Sequence, residues 1–373
     1  MLLLQIVHET ALAGYELLFG VFAFVLGATV GSFLNVCIYR LPLDLSVNEP
    51  KRSFCPVCKN QIPWHQNLPL FSWLFLRGQC ANCGARIALR YFAVELLTAL
   101  LFLAVWLHFP WDVALAYWVL VALLITATFI DFEHFIIPDE ITLGGVAAGV
   151  VACLLVPALM ATDSRLVALV TSVLSAALGY AALWLVLEGG KRAFGKKKIR
   201  LDAPTPFSWT RQGEDAELVV GDEKGLWSDY FARESDQLLL ICDEAEIDGR
   251  SLGATTLRFH YNRVSTATEE LQLDTLQTIR GVVRELQIPR EAMGRGDLKF
   301  LACIGAFLGW QAVLFSVFAG SLLGSVVGVG TMLIGKRVWS AKLPFGPYLA
   351  AGALIWMFFG QLLLGWYFGL LQP

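Results

Sequence analysis

Eight apolar runs, each close to the length that crosses a bilayer, constrain this chain more than any other feature of its sequence. They cover residues 15–37, 91–108, 112–130, 141–159, 167–187, 299–314, 316–334 and 347–369. A helix needs about 20 apolar residues to span the hydrocarbon core, where its backbone groups must be satisfied internally. Only 16% of the residues are charged, against about 25% in soluble domains. The sequence therefore predicts an all-α polytopic membrane protein with about eight transmembrane helices.

Two polar segments interrupt the apolar runs and divide the chain. The predicted segments are a first transmembrane helix (1–37), a loop (38–90), helices two to five (91–189), an inserted domain (190–290) and helices six to eight (291–373). The insert has strand-like runs at 217–220 and 238–242 and a turn signal at Asp248-Gly249. Its tail, 274–287, has apolar residues at helical spacing. We therefore expect a small mixed α/β domain there.

Lys and Arg residues fall almost entirely on one side of this topology. The 38–90 loop has seven, the 190–299 region seventeen and the 335–345 loop three, and only Arg165 of the 28 lies on the other side. Loops rich in Lys and Arg stay in the cytoplasm. We therefore expect the loop, the insert and the 131–140 turn to be cytoplasmic. The net charge of −3 gives no bias toward nucleic acid. Membrane lipid is the expected surrounding because of the apolar runs.

The 38–90 loop has two C-x-x-C pairs, Cys55-Pro-Val-Cys58 and Cys80-Ala-Asn-Cys83. Each pair suits one side of a tetrahedral ion, and four thiolates suit zinc. Pro56 and Gly84 provide the turns that such pairs need. Unmetallated or redox-active thiols are the alternative, while two disulfides are disfavoured in the reducing cytosol. Because four protein ligands leave no position for a substrate water, we expect structural zinc that folds the loop and does not catalyse.

Two aspartates lie at the cytoplasmic ends of apolar runs. Asp131 follows the third run, and Asp297 lies in Gly294-Arg-Gly-Asp-Leu-Lys299, just before the sixth. Ionisable residues at membrane depth are usually functional. Two close carboxyls share one proton, so that one activates a water and the other hydrogen-bonds an amide carbonyl. Gly294 and Gly296 would let the backbone approach a peptide and adopt unusual dihedrals, with Lys299 in support. These residues indicate peptide hydrolysis.

Structural roles for the same acidic turns compete with this interpretation. An Asp at a helix start is often only an N-cap, which Asp297 would also fit. Asp139 follows Pro138, and we interpret it as a cap of the fourth helix through Thr142. Glu133 is a competing carboxylate, and we interpret His134 as a solvated loop histidine.

The motifs together resemble a known family, the type IV prepilin leader peptidases, which are membrane aspartyl proteases of the Gly-x-Gly-Asp class. The matching segments are Gly31–Pro42, Arg52–Cys58, Asn67–Pro69, Leu76–Cys80, Arg90-Tyr91, Ile130–Thr142, Met293–Lys299 and Pro344–Pro347. The chain departs from the family in two places. The 190–290 insert replaces a short connection, and Leu89-Arg-Tyr-Phe92 stands where Ser-Arg-Tyr-Pro is usual.

The resemblance implies a function, assigns roles and places the chain in a bacterial inner membrane. Asp131 and Asp297 would be the catalytic pair, and the four loop cysteines would hold zinc. The substrates would be prepilins and type II secretion pseudopilins, cleaved after a glycine that precedes their hydrophobic helix. Members with this long loop commonly also methylate the new N-terminus with S-adenosylmethionine. The sequence has no Gly-x-Gly-x-x-Gly fingerprint after a strand, so methylation rests on the resemblance alone and its binding residues stay unassigned.

Two other functions remain as alternatives. One is a catalytically inactive zinc-loop scaffold in the membrane. The other is a proton-coupled transporter, which would carry its acids near the middle of the bilayer instead of at helix ends. A zinc metalloprotease is disfavoured, because none of the five histidines forms a His-Glu-x-x-His motif.

Overall fold

The computed structural model describes residues 2–50, 53–55, 57–194, 196–212, 215–221, 223–231, 237–266, 269–289, 294–333 and 343–371. The chain divides into two compact units. One contains Met1–Trp184 and Gly294–Pro373, and the other is Leu185–Met293. The basic residues Lys336, Arg337 and Lys342 of the last predicted cytoplasmic loop lie outside the described residues.

The helices are α1 (Leu2–Arg40), α2 (Phe71–Phe75), α3 (Leu89–His108), α4 (Trp111–His134), α5 (Asp139–Leu155), α6 (Arg165–Phe194), α7 (Arg295–Leu333) and α8 (Gly346–Leu371). Within the described ranges, six of them are long and apolar enough to cross a bilayer, namely α1, α3, α4, α6, α7 and α8. The chain is therefore a multi-pass membrane protein. This count differs from the expected eight for two reasons. α5 has 17 residues and ends before a 3-10 turn that begins at Pro157, and the predicted sixth and seventh helices both fall within α7.

α7 reverses its direction at Gly309. The backbone dihedrals of Gly309 are φ 80° and ψ 177°, which lie outside the range of an α-helix. A Cβ built on Gly305 would lie 2.8 Å from Cγ2 of Val313, although eight residues of straight helix rise about 12 Å. Segments 295–308 and 310–333 therefore lie side by side and do not form one long rod. Gly309 is suited to this corner because it has no Cβ and tolerates a positive φ.

Close helix packing in this unit depends on glycines spaced four residues apart. A Cβ on Gly27 or Gly31 of α1 would lie 2.8 Å or 2.7 Å from the Cα atoms of Ala99 and Glu95 in α3. On α5, Gly145 and Gly149 approach α7 in the same way. Small residues let membrane helices approach to backbone contact, where packing replaces the hydrophobic effect as the driving force. These contacts hold α1 against α3 and α5 against the first half of α7.

The second unit is an antiparallel sheet with the strand order β3-β2-β1-β8-β4-β5-β6-β7. Its strands are β1 (Lys196–Gln212), β2 (Asp215–Val220), β3 (Glu223–Leu226), β4 (Leu238–Ile247), β5 (Arg250–Phe259), β6 (Arg263–Ser265), β7 (Glu270–Gln272) and β8 (Thr278–Pro289). Alternate residues of β4, beginning at Leu238, are buried together with Trp209 and Phe259. The predicted strands at 217–220 and 238–242 are confirmed. The turn at Asp248-Gly249 is also confirmed, with positive φ at both residues as a tight hairpin requires.

The helix predicted over 274–287 is wrong. Thr278–Pro289 forms strand β8, which pairs with β1 on one side and β4 on the other. Gly281 makes a close backbone approach there, because a Cβ would lie 2.1 Å from the carbonyl oxygen of Glu244. Apart from the end of α6, the described part of this unit contains strands and short 3-10 turns, so the sheet replaces the expected mixed α/β domain.

Candidate active site and metal centre

Asp131 lies in the last turn of α4 and is only 5% exposed. Its Oδ2 accepts a hydrogen bond of 2.8 Å from the backbone N–H of Gly346, the first residue of α8. α4 ends where Phe135 adopts a left-handed φ of 56° and bonds back to the carbonyl of Asp131. The start of one helix and the end of another therefore hold this carboxyl in one position.

Asp297 lies in the first turn of α7 and is 8% exposed. The backbone N–H of Gly294 hydrogen-bonds its carboxyl, which is the contact of a helix cap. Asp131 lies close enough to Asp297 for the two charges to interact. The fold thus brings the two predicted aspartates together at helix ends, each beside one glycine N–H.

Ile137 packs between Gly296, the residue before Asp297, and Gly346, whose amide holds Asp131. It lies buried in the connection from α4 to α5. A Cβ on Gly296 would lie 3.1 Å from the Cβ of Ile137, and one on Gly346 would lie 3.1 Å from its Cδ1. The expected unusual dihedrals of Gly294 and Gly296 are wrong, since neither has a positive φ. Gly296 is instead suited to its place by this close approach.

Lys299 pairs with Asp139 across the starts of α7 and α5, with Nζ 2.6 Å from Oδ1. Asp139 therefore does not cap α5, and the hydroxyl of Thr142 donates instead to the carbonyl of Pro138. The Asp139 side chain is 58% exposed, so the pair contributes at most about 1 kcal/mol to stability. Its position beside the aspartates suggests that it aligns the first turn of α7.

Glu133, the competing carboxylate beside Asp131, already has a partner in the structure. The Glu133 carboxylate forms an ion pair with Arg90 at the start of α3. The side chain of His134 is exposed, as expected for a loop histidine. Glu133 therefore belongs to a contact between α3 and α4, while Asp131 and Asp297 lie close enough for their charges to interact.

The four loop cysteines converge on one point. Their Sγ atoms all lie within 4.8 Å of one another, and those of Cys55 and Cys83 are 3.9 Å apart. Tetrahedral zinc with Zn–S bonds of about 2.3 Å requires sulfur separations of about 3.8 Å. All four cysteines are free thiols. The donor set and its spacing therefore fit one zinc ion with no ligand position left over.

The two C-x-x-C segments share one backbone turn. In each, the amide of the first cysteine donates to the carbonyl five residues later, at Asn60 and Ala85. The amide four residues after each first cysteine donates back to that cysteine, and both of these residues, Lys59 and Gly84, have positive φ. Gly84 was expected to provide its turn. In the first segment Lys59 takes the matching position, and Pro56 lies outside the described residues.

Backbone amides prepare two of the thiols for metal binding. The N–H of Asn60 lowers the pKa of the Cys58 thiol to about 6, and the side chain of Asn82 adds to this effect. The amides of Cys83 and Asn82 lower the pKa of Cys80. Because only the thiolate binds a metal, both shifts favour the ligand form near neutral pH.

Gly346 and Ile137 have roles that their sequence context does not indicate. The motif Pro344-Phe-Gly-Pro347 belongs to the family resemblance, but nothing in it shows that its glycine amide reaches Asp131. Ile137 had no signal beyond its place between the aspartate turn and Pro138. Both roles depend on helices that are far apart in sequence.

Two family patterns match the helical part of this chain. Residues 25–109 match the bacterial peptidase A24 N-terminal domain, and residues 118–199 and 276–329 match the type IV leader peptidase family. The unmatched stretch between 199 and 276 lies in the sheet unit.

Three bacterial relatives carry the name prepilin leader peptidase/N-methyltransferase. The protein of Aeromonas hydrophila is 29% identical over 394 aligned residues, which cover 98% of each chain. That of Neisseria gonorrhoeae is 36% identical over 210 residues, or 48% of this chain and 71% of the relative. That of Myxococcus xanthus is 50% identical over 144 residues, or 38% of this chain and 43% of the relative. No solved structure matches this chain.

Proposed function

This chain belongs to the type IV leader peptidase family, and from that premise we propose that Asp131 and Asp297 are the carboxyls with which it cleaves prepilins. The family activity is removal of the leader peptide and N-methylation of the new N-terminus, and we assign both to this chain. The observation that carries the assignment of residues is the meeting of two buried carboxyls, each held by a glycine N–H.

The proposed chemistry needs one proton shared by the pair. The charged carboxyl takes a proton from a water molecule as that water attacks the scissile carbonyl. The protonated carboxyl donates a hydrogen bond to the same carbonyl and stabilises the developing oxyanion. The amides of Gly346 and Gly294 keep the two carboxyls in position, so little reorganisation is needed during the reaction.

The substrate is a prepilin or type II secretion pseudopilin, cut after the glycine that precedes its hydrophobic helix. Both aspartates lie at helix ends, where the extended leader of such a substrate would leave the bilayer. A proton-coupled transporter would place its acids deeper. This depth supports the peptidase over the transporter.

We also propose that the chain crosses the membrane eight times. The reversal at Gly309 makes two crossings of α7, and α5 runs beside segment 295–308, with Gly145 next to Cys303 and Gly149 next to Ala306. Eight crossings put the 38–90 loop, the insert and both aspartates on one side. The Lys and Arg distribution makes that side the cytoplasm of a bacterial inner membrane.

Cys55, Cys58, Cys80 and Cys83 would hold a structural zinc ion, which is suited to cross-link the loop. The proposed hydrolysis uses no step on this ion. Bound S-adenosylmethionine would supply an electrophilic methyl group for the new N-terminus.

Cleavage of a synthetic prepilin by the purified full-length chain, followed by mass analysis, tests this proposal. Asp131→Asn and Asp297→Asn should each reduce the cleavage rate by about 10³-fold, which is typical of a lost general acid or base. Asp112→Asn is a matched control, because Asp112 lies in the first turn of α4, at the opposite end from Asp131. It should cleave normally.

Two results would overturn the assignment. Normal cleavage by either Asp131→Asn or Asp297→Asn would exclude the carboxyl pair. A folded, zinc-loaded chain that cleaves no prepilin would support the inactive scaffold instead.

A further inference from the structure

A cavity of about 520 Å³ lies beside the aspartates and plays no part in the proposed hydrolysis. Its walls are the cytoplasmic half of α1, the cysteine loop, the start of α3 and the end of α4. Ligand pockets in proteins typically measure about 300–1,000 Å³. The cavity is therefore large enough to hold a nucleoside-sized molecule.

One charged group at the cavity, the guanidinium of Arg40, hydrogen-bonds to the backbone of the protein. Arg40 is 5% exposed and donates to the carbonyl oxygens of Ser46, Val47 and Pro50, each at 3.0 Å. These bonds tie the end of α1 to the chain that follows it. Arg40 thus shapes the cavity wall and is not available to a ligand.

Two other polar groups that line the cavity have buried atoms without a partner among the described residues. These atoms are Oδ1 of Asn35 and Nε of Arg90. Asn35 is 3% exposed, and its Nδ2 donates to the carbonyl of Tyr91, the residue after Arg90. The unpaired acceptor and the unpaired cationic donor are therefore neighbours. A buried polar atom without a partner is destabilising, and a bound ligand that pairs with it removes that cost.

We propose that this cavity binds the methyl donor S-adenosylmethionine, an inference that rests on the proposed function above. The amino-acid end of the donor has an ammonium and a carboxylate, which match the Asn35 acceptor and the Arg90 donor. Tyr39 and Trp73 also line the cavity and offer aromatic faces on which a purine base can stack. The carboxyl of Glu95 also lines the cavity and accepts a hydrogen bond of 2.7 Å from the backbone N–H of Leu70. An acidic group at this place suits the sulfonium cation of the methyl donor.

The position of the cavity explains how cleavage and methylation could follow each other. Glu133 and His134 line the cavity, while Asp131, on the same helical turn, faces the start of α8. Three residues of α-helix rise about 4.5 Å, so the two sites are about one turn apart. A new N-terminus released at Asp131 would therefore lie close to the donor.

The transfer itself balances without a further reactant. The neutral amine of the new N-terminus forms an N–C bond to the methyl group as the C–S bond breaks. The bonding electron pair stays on sulfur, which becomes an uncharged thioether. The amine then releases one proton to water.

Equilibrium dialysis of radiolabelled S-adenosylmethionine against the purified full-length chain tests the proposal without relying on activity. Val36→Phe, on the cavity wall, should weaken binding at least tenfold because the larger ring occupies the cavity. Val25→Phe is the matched control, since Val25 lies on α1 and is 56% exposed away from the cavity. It should bind the donor normally.

A second pair of variants tests the unpaired hydrogen-bond donor of Arg90 and does not depend on filling the cavity. Arg90→Lys keeps the positive charge but removes Nε, and it should weaken the binding of S-adenosylmethionine by about tenfold. Arg77→Lys makes the same change in the cysteine loop outside the cavity and should have no effect. Zinc content and thermal stability of each variant show whether it is folded.

The possible failures can be told apart by assaying prepilin cleavage in the same preparations. A chain that cleaves prepilin but binds no donor would overturn the cavity assignment and leave the peptidase intact. Equal donor affinity within both variant pairs would also overturn it, as would a tightly bound phospholipid that the donor fails to displace. A chain that cleaves nothing would overturn the proposed function itself.

Discussion

Gly346→Ala should damage cleavage far more than it damages folding. The added Cβ would lie 2.8 Å from Oδ2 of Asp131, whereas ordinary contacts begin near 3.4 Å. The carboxyl must therefore move by about 0.6 Å, and its hydrogen bond from the Gly346 amide is weakened. The nearest obstructing atoms, Oδ2 of Asp131 and, at 3.1 Å, Cδ1 of Ile137, are both the ends of side chains, so the helix backbone can stay where it is.

The size of the effect follows from two independent estimates. Misplacing a reacting group by 1 Å costs on the order of 10²-fold in rate, so a shift of about 0.6 Å costs roughly tenfold. Losing a hydrogen bond to a charged group costs about 1.5–3 kcal/mol, equivalent to roughly 10- to 150-fold. We expect the cleavage rate to fall between about 10- and 100-fold.

The assay is kcat for a synthetic prepilin, with the unfolding temperature measured on the same preparations. Gly365→Ala in the same helix is the control, because a Cβ there meets nothing within 4 Å. The reasoning is refuted if Gly346→Ala cleaves as fast as the control. A loss of cleavage that matches the loss of folded protein would refute it as well.

Three further perturbations test the surroundings of the site. Gly84→Ala should weaken zinc binding about fivefold, because a left-handed φ costs an L-residue roughly 1 kcal/mol; chelator competition measures this, and Lys59→Ala, at the matching turn, should show no such change. Asp139→Asn should retain appreciable cleavage, since it loses only the exposed ion pair to Lys299; a loss equal to that of Asp131→Asn in folded protein would require a new assignment. Cys80→Ser should lower both zinc content and folded yield, and normal yield without zinc would show that the loop folds without the metal.

The apolar helices and the cysteine cluster could be predicted because both are local properties. Run length is set by bilayer thickness, and the Lys and Arg distribution needs no knowledge of packing. The paired C-x-x-C spacing likewise predicts that the cysteines converge, since each pair forms a turn within a few residues. The four sulfurs are accordingly close together in the structure.

The strand at 278–289 shows where local reasoning fails. Its apolar residues fit a helix as well as a strand when only their spacing is considered. The deciding interactions are hydrogen bonds to β1 and β4, whose residues are far away in sequence. The pairing also selects Gly281, whose missing side chain admits the backbone of β4.

The sequence alone determined that this is a membrane protein with a cysteine cluster and two acidic helix ends. Only the tertiary structure decided that Asp131 meets Asp297 and that Gly346 donates to Asp131. Residue type and spacing specify what a side chain can do within one or two helical turns. Which carboxyls come close to each other depends instead on how α4, α7 and α8 pack, and glycines on different helices set that packing.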